Sequence, residues 1–174
     1  MKKQPNSRMC FGCGMENPFG LKLFFYQMDD GRVVTRFTPR DEYQGYPGVL
    51  HGGIVSTVLD EVLGRVCIAE GRWMVTARME VRYRRPIPLG QPLTVVGEQV
   101  ESRGRRMVAH GEIRLPDGSV AAEATATFID LPPEKVAGME EALRFWAVVP
   151  DENGIPDFES LVRPDQTEID GQEP

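Results

Sequence analysis

The chain lacks any apolar run approaching the ~20 residues that span a bilayer. Its first residues, Met1-Lys2-Lys3-Gln4-Pro5-Asn6-Ser7-Arg8, are basic with no apolar stretch behind them, so no signal peptide is read there. Cysteine is scarce. Cys10, Cys13 and Cys67 are too few, and odd in number, for a disulfide framework. Histidine is scarcer still, with only His51 and His110. There is no Walker loop, no dinucleotide fingerprint, no Cys–His pair and no Gly-x-Ser-x-Gly elbow. Those absences remove the commoner nucleotide-binding and serine-hydrolase readings. A cytoplasmic protein is expected, without membrane contact.

Charge of one sign is also lacking outside the end of the chain. The net charge is −6, yet eight acids and one base lie from residue 150 onward, against 18 acids and 19 bases before it. The acidity belongs to the tail, and bulk charge argues for neither nucleic acid nor membrane as a partner.

What the chain does have, in 174 residues, is enough sequence for one domain with a sizeable core. Residues 1–20 are rich in Gly, Pro and Asn and read as an irregular leader. Leu21–Met28 and the alternating Val33, Thr35 and Phe37 form an expected hairpin around Asp29-Asp30-Gly31. A loop then delivers the chain to a helix over about 52–69, with Gly71 as its stop. Arg72–Arg85 alternates cleanly, with Trp73, Val75, Ala77, Met79, Val81 and Tyr83 on one side. Strands follow over Gln91–Glu101, Arg106–Leu115 and Ser119–Leu131, the last with small alanines that let a neighbour approach. The order β-β-α-β-β-β-β predicts an α+β fold in which an antiparallel sheet covers one long helix. A short helix is expected over about 134–147, within 132–149, and residues 150–174 read as an acidic, disordered tail.

Candidate chemistry gathers in Pro47–Gly64. Val55, Val58, Leu59, Val62, Leu63 and Val66 recur at helical spacing, so this helix belongs in a core. Gly52 and Gly53 stand at its start, where backbone N–H groups lack partners and the dipole is positive. They offer an oxyanion or anion site, or simply a tight turn. Asp60 lies mid-helix. It is either a structural carboxylate, paired with Arg78 or Ser56, or a general base or nucleophile with a raised pKa. Within one helix Gly52 and Asp60 are ~12 Å apart. That is too far for both to act on one carbonyl, so a shared role requires two chains across a two-fold axis. The functional reading therefore predicts a homodimer.

His51-Gly52-Gly53, the helix with Leu59-Asp60-Glu61, and the strand from Val75-Thr76-Ala77 to Val81-Arg82-Tyr83-Arg84-Arg85-Pro86 resemble the hotdog-fold acyl-CoA thioesterases. The likeness spans roughly Asn17 to Leu131 and is greatest to the phenylacetate-pathway branch of the 4-hydroxybenzoyl-CoA thioesterase superfamily. Cys10-Phe11-Gly12-Cys13-Gly14, followed by Asn17-Pro18 and Gly20-Leu21, is similar to a leader on some bacterial members. The resemblance implies a hotdog domain over 21–131, in a dimer or dimer of dimers. It implies hydrolysis of an acyl-CoA with Gly52 N–H polarising the carbonyl, Asp60 as base or nucleophile from the opposite subunit, and Thr76 placing the water. Some relatives carry an Asn where this chain has Gly45; either Gln44 substitutes for it or the role is absent. Glu61 is the alternative acid, though spacing from Gly52 favours Asp60. His51 and Gly53 shape the substrate end of the helix. Arg84 and Arg85 are the expected partners for the coenzyme A phosphates.

Two rivals stand beside this reading: a non-catalytic acyl-CoA or aromatic-ligand binder on the same fold, and a dehydratase of the same fold. The dehydratase would want a histidine beside the acid, which neither His51 nor His110 obviously supplies. Cys10-x-x-Cys13 has zinc-like spacing, but no second pair follows, and a tight capped turn without metal is expected. No cofactor is expected.

Overall fold

A computed structural model describes residues 1–139, 143–151, 154, 157 and 158. Its centre is α1, Gly52–Ala69, whose Val55, Val58, Leu59, Val62, Leu63 and Val66 are buried as their spacing predicts. The strands are β1 (Lys2–Lys3), β2 (Tyr26–Gln27), β3 (Val33–Phe37), β4 (Met74–Tyr83), β5 (Leu93–Arg103), β6 (Arg106–Arg114) and β7 (Val120–Asp130). They form one antiparallel sheet in the order β1-β2-β3-β5-β6-β7-β4. The sheet lies against α1 and is the expected hotdog architecture.

Two glycines seat the helix. Gly97 of β5 and Gly111 of β6 are cross-strand partners. A Cβ at Gly97 would lie 3.2 Å from the Val62 carbonyl oxygen, and one at Gly111 would lie 3.0 Å from a Leu63 methyl. The alanines of β7 continue this low surface, with Ala122, Ala124 and Ala126 all buried. At its C-terminus α1 stops at Gly71, which takes φ +70° and donates its N–H to Ile68.

The expected first strand over Leu21–Met28 is pared to Tyr26–Gln27. Leu21, Leu23 and Phe25 are buried, but their backbone bonds the leader instead. Leu21 N–H donates to Phe11, Leu23 N–H to Gly12, and the Phe25 carbonyl accepts from Gln4. The leader is thus part of the core. Asn6 is buried and its amide donates to the carbonyls of Cys13 and Leu23 at 2.9 and 2.8 Å.

At the other end, a helix α2 covers Pro133–Ala137 and closes at Gly138, shorter than the expected 134–147. Residues 140–142 lie outside the described residues. Trp146 packs edge-on against Trp73, with ring centres 5.1 Å apart. Of the acidic tail expected to be disordered, most lies outside the described residues. Phe158 is buried with its ring 5.5 Å from Tyr26, whose hydroxyl donates to Asp151 at 2.8 Å.

Candidate active site

Asp60 sits on the flank of α1 that faces β4, half-buried rather than sealed in the core. Its Oδ1 accepts a hydrogen bond from Thr76 Oγ1 at 2.8 Å. Neither Arg78 nor Ser56 is its partner. Arg78 bonds Glu80, and Ser56 bonds the Gly52 carbonyl and Tyr83. Asp60 and Thr76 line a groove of about 340 Å³ together with Gly64, Ile68, Met74, Val75 and Phe128. Cys10, Glu61, Arg65 and Arg72 also border it, so its walls mix charged and polar groups with aliphatic and aromatic surface.

Thr76 reaches Asp60 through a defect in the strand. Tyr83, at the other end of β4, also reaches α1, donating to the Gly52 carbonyl at 3.1 Å. Thr76 and Tyr83 differ in parity, so a regular strand would send them to opposite faces. The register of β4 against β7 slips between Thr76 and Arg78, leaving Ala77 as the extra residue. That bulge turns Thr76 toward the helix. The clean alternation expected over Arg72–Arg85 therefore holds only beyond Ala77.

At the helix start, His51 is the N-cap. Its Nδ1 accepts from Gly53 N–H at 2.9 Å, so the Gly53 donor is committed to the cap. Gly52 N–H has no partner among the described residues and is exposed. Gln44 Oε1 accepts from Gly48 N–H at 2.8 Å and holds the loop before the helix. Gly45 lies against His51: a Cβ there would be 3.1 Å from His51 Cα. The structure thus gathers Gln44, His51, Gly52 and Gly53 at one end of α1, and Asp60 with Thr76 in the groove eight residues on, about 12 Å along the axis.

Arg84 and Arg85 follow β4, near the Gly52 end. Arg84 bonds Glu123 at 2.7 Å and Arg85 bonds Ser119 at 3.1 Å, both at the surface. The Arg84 guanidinium holds the Glu123 carboxyl below the usual carboxylate range. His110 lies in β6, beside Thr125 and Glu112 and away from this groove.

Glu61, the next residue along the helix, has its carboxyl shifted upward. Burial pushes it up to about 7, and Cys13 adds to this, while Arg65 opposes it. Arg65 itself was not singled out by the sequence, yet it is only 1% exposed. It bonds Glu61 Oε1 at 3.3 Å and the Pro5 carbonyl at 2.6 Å, and lies over the rings of Phe25 and Trp146. Its i+4 spacing from Glu61 was the available signal. Cys10 and Cys13 stand beside this pair. The hydrogen bond between the two thiols holds Cys13 down, to about 5, with Arg65 and Ser7 adding to it, and pushes Cys10 up.

Residues 47–122 match the thioesterase superfamily. The fold agrees with that match: residues 47–122 carry a thioesterase superfamily domain. Acyl-coenzyme A thioesterase THEM4 of Mus musculus is 36% identical over 136 residues, covering 77% of this chain and 59% of that protein. The chain spans 50–59% of the length of the THEM4 relatives it matches. A solved thioesterase superfamily protein shares the fold with a TM-score of 0.68 at 36% identity, over 71% of this chain and 61% of that one. A hypothetical thioesterase protein from Streptococcus pneumoniae, solved with coenzyme A, has a TM-score of 0.59 at 29% identity, over 62% of this chain and 84% of that one. It has also been solved as an aspartate-to-alanine and as a threonine-to-alanine mutant. Among the described residues of the thioesterase domain and its flanks, no helix is long and apolar enough to cross a membrane.

Proposed function

We propose that the chain hydrolyses acyl-CoA thioesters at a site shared between two copies, with Asp60 as general base. The observation that carries this is the 2.8 Å hydrogen bond from Thr76 Oγ1 to Asp60 Oδ1 on the groove. A hydroxyl and a carboxylate so joined can hold one water between them. Asp60 takes a proton from that water as its oxygen attacks the thioester carbonyl. The developing oxyanion accepts from Gly52 N–H of the second copy, at the positive end of its helix. The C–S bond then breaks, and the departing CoA sulfur takes the proton, giving the free acid and CoA.

Several observations support this arrangement. β4 is the outer strand of the sheet, paired on one side only among the described residues, and seven of its ten residues are exposed in the single chain. A ten-residue bare edge invites pairing with another strand. Within one chain Asp60 adjoins the Thr76 end of β4, and Gly52 adjoins the Tyr83 end. Antiparallel pairing of β4 with its own copy brings each Thr76 end to the partner's Tyr83 end, and so each Asp60 toward the other copy's Gly52. Asp60 and Thr76 are sixteen residues apart, the same separation as the aspartate and threonine replaced in the two Streptococcus pneumoniae mutants. THEM4 relatives bear the name acyl-coenzyme A thioesterase, and the Streptococcus protein was solved with coenzyme A. Arg84 and Arg85 stand where they could take the coenzyme's phosphates, with Gln44, His51 and Gly53 shaping the loop beside them.

The test is Asp60→Asn, which keeps size and the acceptor for Thr76. Against a panel of short, medium and aryl acyl-CoAs, kcat/KM should fall at least ~100-fold, the usual range for a lost general base. The thermal midpoint should stay near wild type, since Asp60 is half-exposed. A folded variant that hydrolyses the panel at the wild-type rate would remove Asp60 from the reaction.

A further inference from the structure

The leader that the thioesterase match leaves out carries a second constellation. Cys10 Sγ, Cys13 Sγ and a Glu61 carboxylate oxygen all lie within 4.8 Å of one another. Cys10 Sγ is 3.4 Å from Glu61 Oε2. A second cluster of three possible ligands lies on the sheet. In that one, His110 with Glu112 and Glu123, both carboxylates are already spent on Arg114, Arg84 and Arg82. In the Cys10–Cys13–Glu61 cluster the carboxylate has one oxygen held by Arg65, and the other is turned to the sulfurs.

We propose that Cys10, Cys13 and Glu61 bind a zinc ion, with the fourth coordination position facing the active-site groove. Zinc bonds of ~2.3 Å to sulfur and ~2.1 Å to oxygen at tetrahedral angles place sulfur and oxygen roughly 3.6 Å apart. The observed 3.4 Å needs little change. Charge fits as well. Two thiolates and a carboxylate bring three negative charges, Arg65 brings one positive charge, and a divalent cation supplies the remainder, leaving a neutral cluster. Two soft thiolates beside one carboxylate suit zinc better than the hard cations.

The surroundings are built for this rather than for a turn alone. A turn over Cys10–Cys13 needs its Gly14, where a Cβ would meet the Cys10 carbonyl oxygen, but it has no use for Gly12. A Cβ at Gly12 would lie 2.8 Å from Glu61 Cγ and closer still to its carboxylate, so glycine is what lets the loop close on the acid. Cys13 has no exposed surface, and Asn6 holds its carbonyl. Ser7 Oγ accepts from Cys10 N–H at 3.0 Å and lies 3.5 Å from Cys13 Sγ. Arg65, fixed by Pro5 and two aromatic rings, orients Glu61 from behind. Outer partners of this kind fix the aim of metal ligands. Cys10 and Glu61, but not Cys13, line the groove that holds Asp60. The open side of the cluster therefore faces that groove, where water or a ligand can complete the tetrahedron. Spacing alone could not show this site, because the third ligand comes from α1, fifty-one residues after Cys10.

Cobalt(II) tests the site directly. Titration of the reduced, chelator-treated full chain should give a thiolate-to-cobalt charge-transfer band and tetrahedral visible bands, saturating at one equivalent per chain and displaced by zinc. Cys10→Ser and Cys13→Ser should abolish the bands. Glu61→Gln should weaken binding at least ~10-fold, and Cys67→Ala should leave the stoichiometry intact. If the cysteine variants fail to fold, alkylation of the wild type decides: zinc should protect Cys10 and Cys13, read by peptide mass, and leave Cys67 unchanged. Absence of the charge-transfer band at one equivalent, or no protection by zinc, would overturn the proposal. So would bands that survive in a folded Cys13→Ser variant.

Discussion

Asp60 and Glu61 are neighbours on one helix and meet different surroundings because they lie ~100° apart around it. Glu61 turns inward to Arg65 and the two thiols, while Asp60 turns to the groove and Thr76. Spacing from Gly52 favours Asp60 over Glu61; both line the groove, and it is Asp60 that accepts from Thr76 there. Both acids are half-buried, and the sequence did not show that Glu61 meets the leader, whose Gly12 packs against its carboxylate. Thr76 gives a prediction at this scale. Its hydroxyl bonds a carboxylate, and such bonds contribute roughly 1.5–3 kcal/mol. Thr76→Val should lower kcat/KM about 10-fold or more, and Thr76→Ser should retain most of the wild-type value. Steady-state kinetics on one acyl-CoA separates the two, and equal rates in Val and Ser variants would exclude a role for the hydroxyl.

At the scale of elements, α1 and the four long strands were legible. The helix bounds of 52–69 follow from its apolar spacing and from Gly71, and the late strands follow from tight turns at Gly104 and Gly118. Three features were not. The bulge at Ala77 carries no turn residue to announce it, so alternation was read straight through it. The pairing of Leu21–Phe25 with the leader is a tertiary choice that local β propensity cannot express. The two-residue β1 is too short for any period. The seat of the helix supplies the prediction here. In Gly111→Ala the new methyl would lie 2.9 Å from the Val96 carbonyl oxygen and 3.0 Å from Leu63, and the backbone oxygen cannot swing aside. Overpacking of this kind costs typically 1–3 kcal/mol. Urea unfolding should show a lower midpoint with an unchanged slope. A midpoint equal to wild type would mean that α1 does not rest on this glycine pair as closely as described.

For the whole molecule, the single chain keeps Gly52 and Asp60 about 12 Å apart on one helix, and its outer strand β4 is bare. The proposed two-fold assembly answers both facts, and the expectation of it rests on helix rise. The strand proposed to form its surface is not legible in the sequence, because β4 reads as an ordinary half-buried strand until its place at the sheet edge is known. Sedimentation should give twice the 19.5 kDa chain mass or a higher even multiple. The most direct measurement mixes two inactive variants. Asp60→Asn removes the carboxylate. Gly52→Pro removes the donor N–H at the first helical position, where proline is tolerated. The residue before it, His51, is extended, with ψ 132°, as proline requires. A Cβ at 52 meets Tyr83 only at an ordinary 3.6 Å. Each variant alone should be nearly inactive. After unfolding and refolding together in equal amounts, half of the dimers should be mixed, and each mixed dimer has one site with both groups intact. A two-fold dimer with shared sites should recover about one quarter of wild-type activity. No recovery, with mixed dimers demonstrated by mass, would contradict a site in which Asp60 of one chain serves Gly52 of the other.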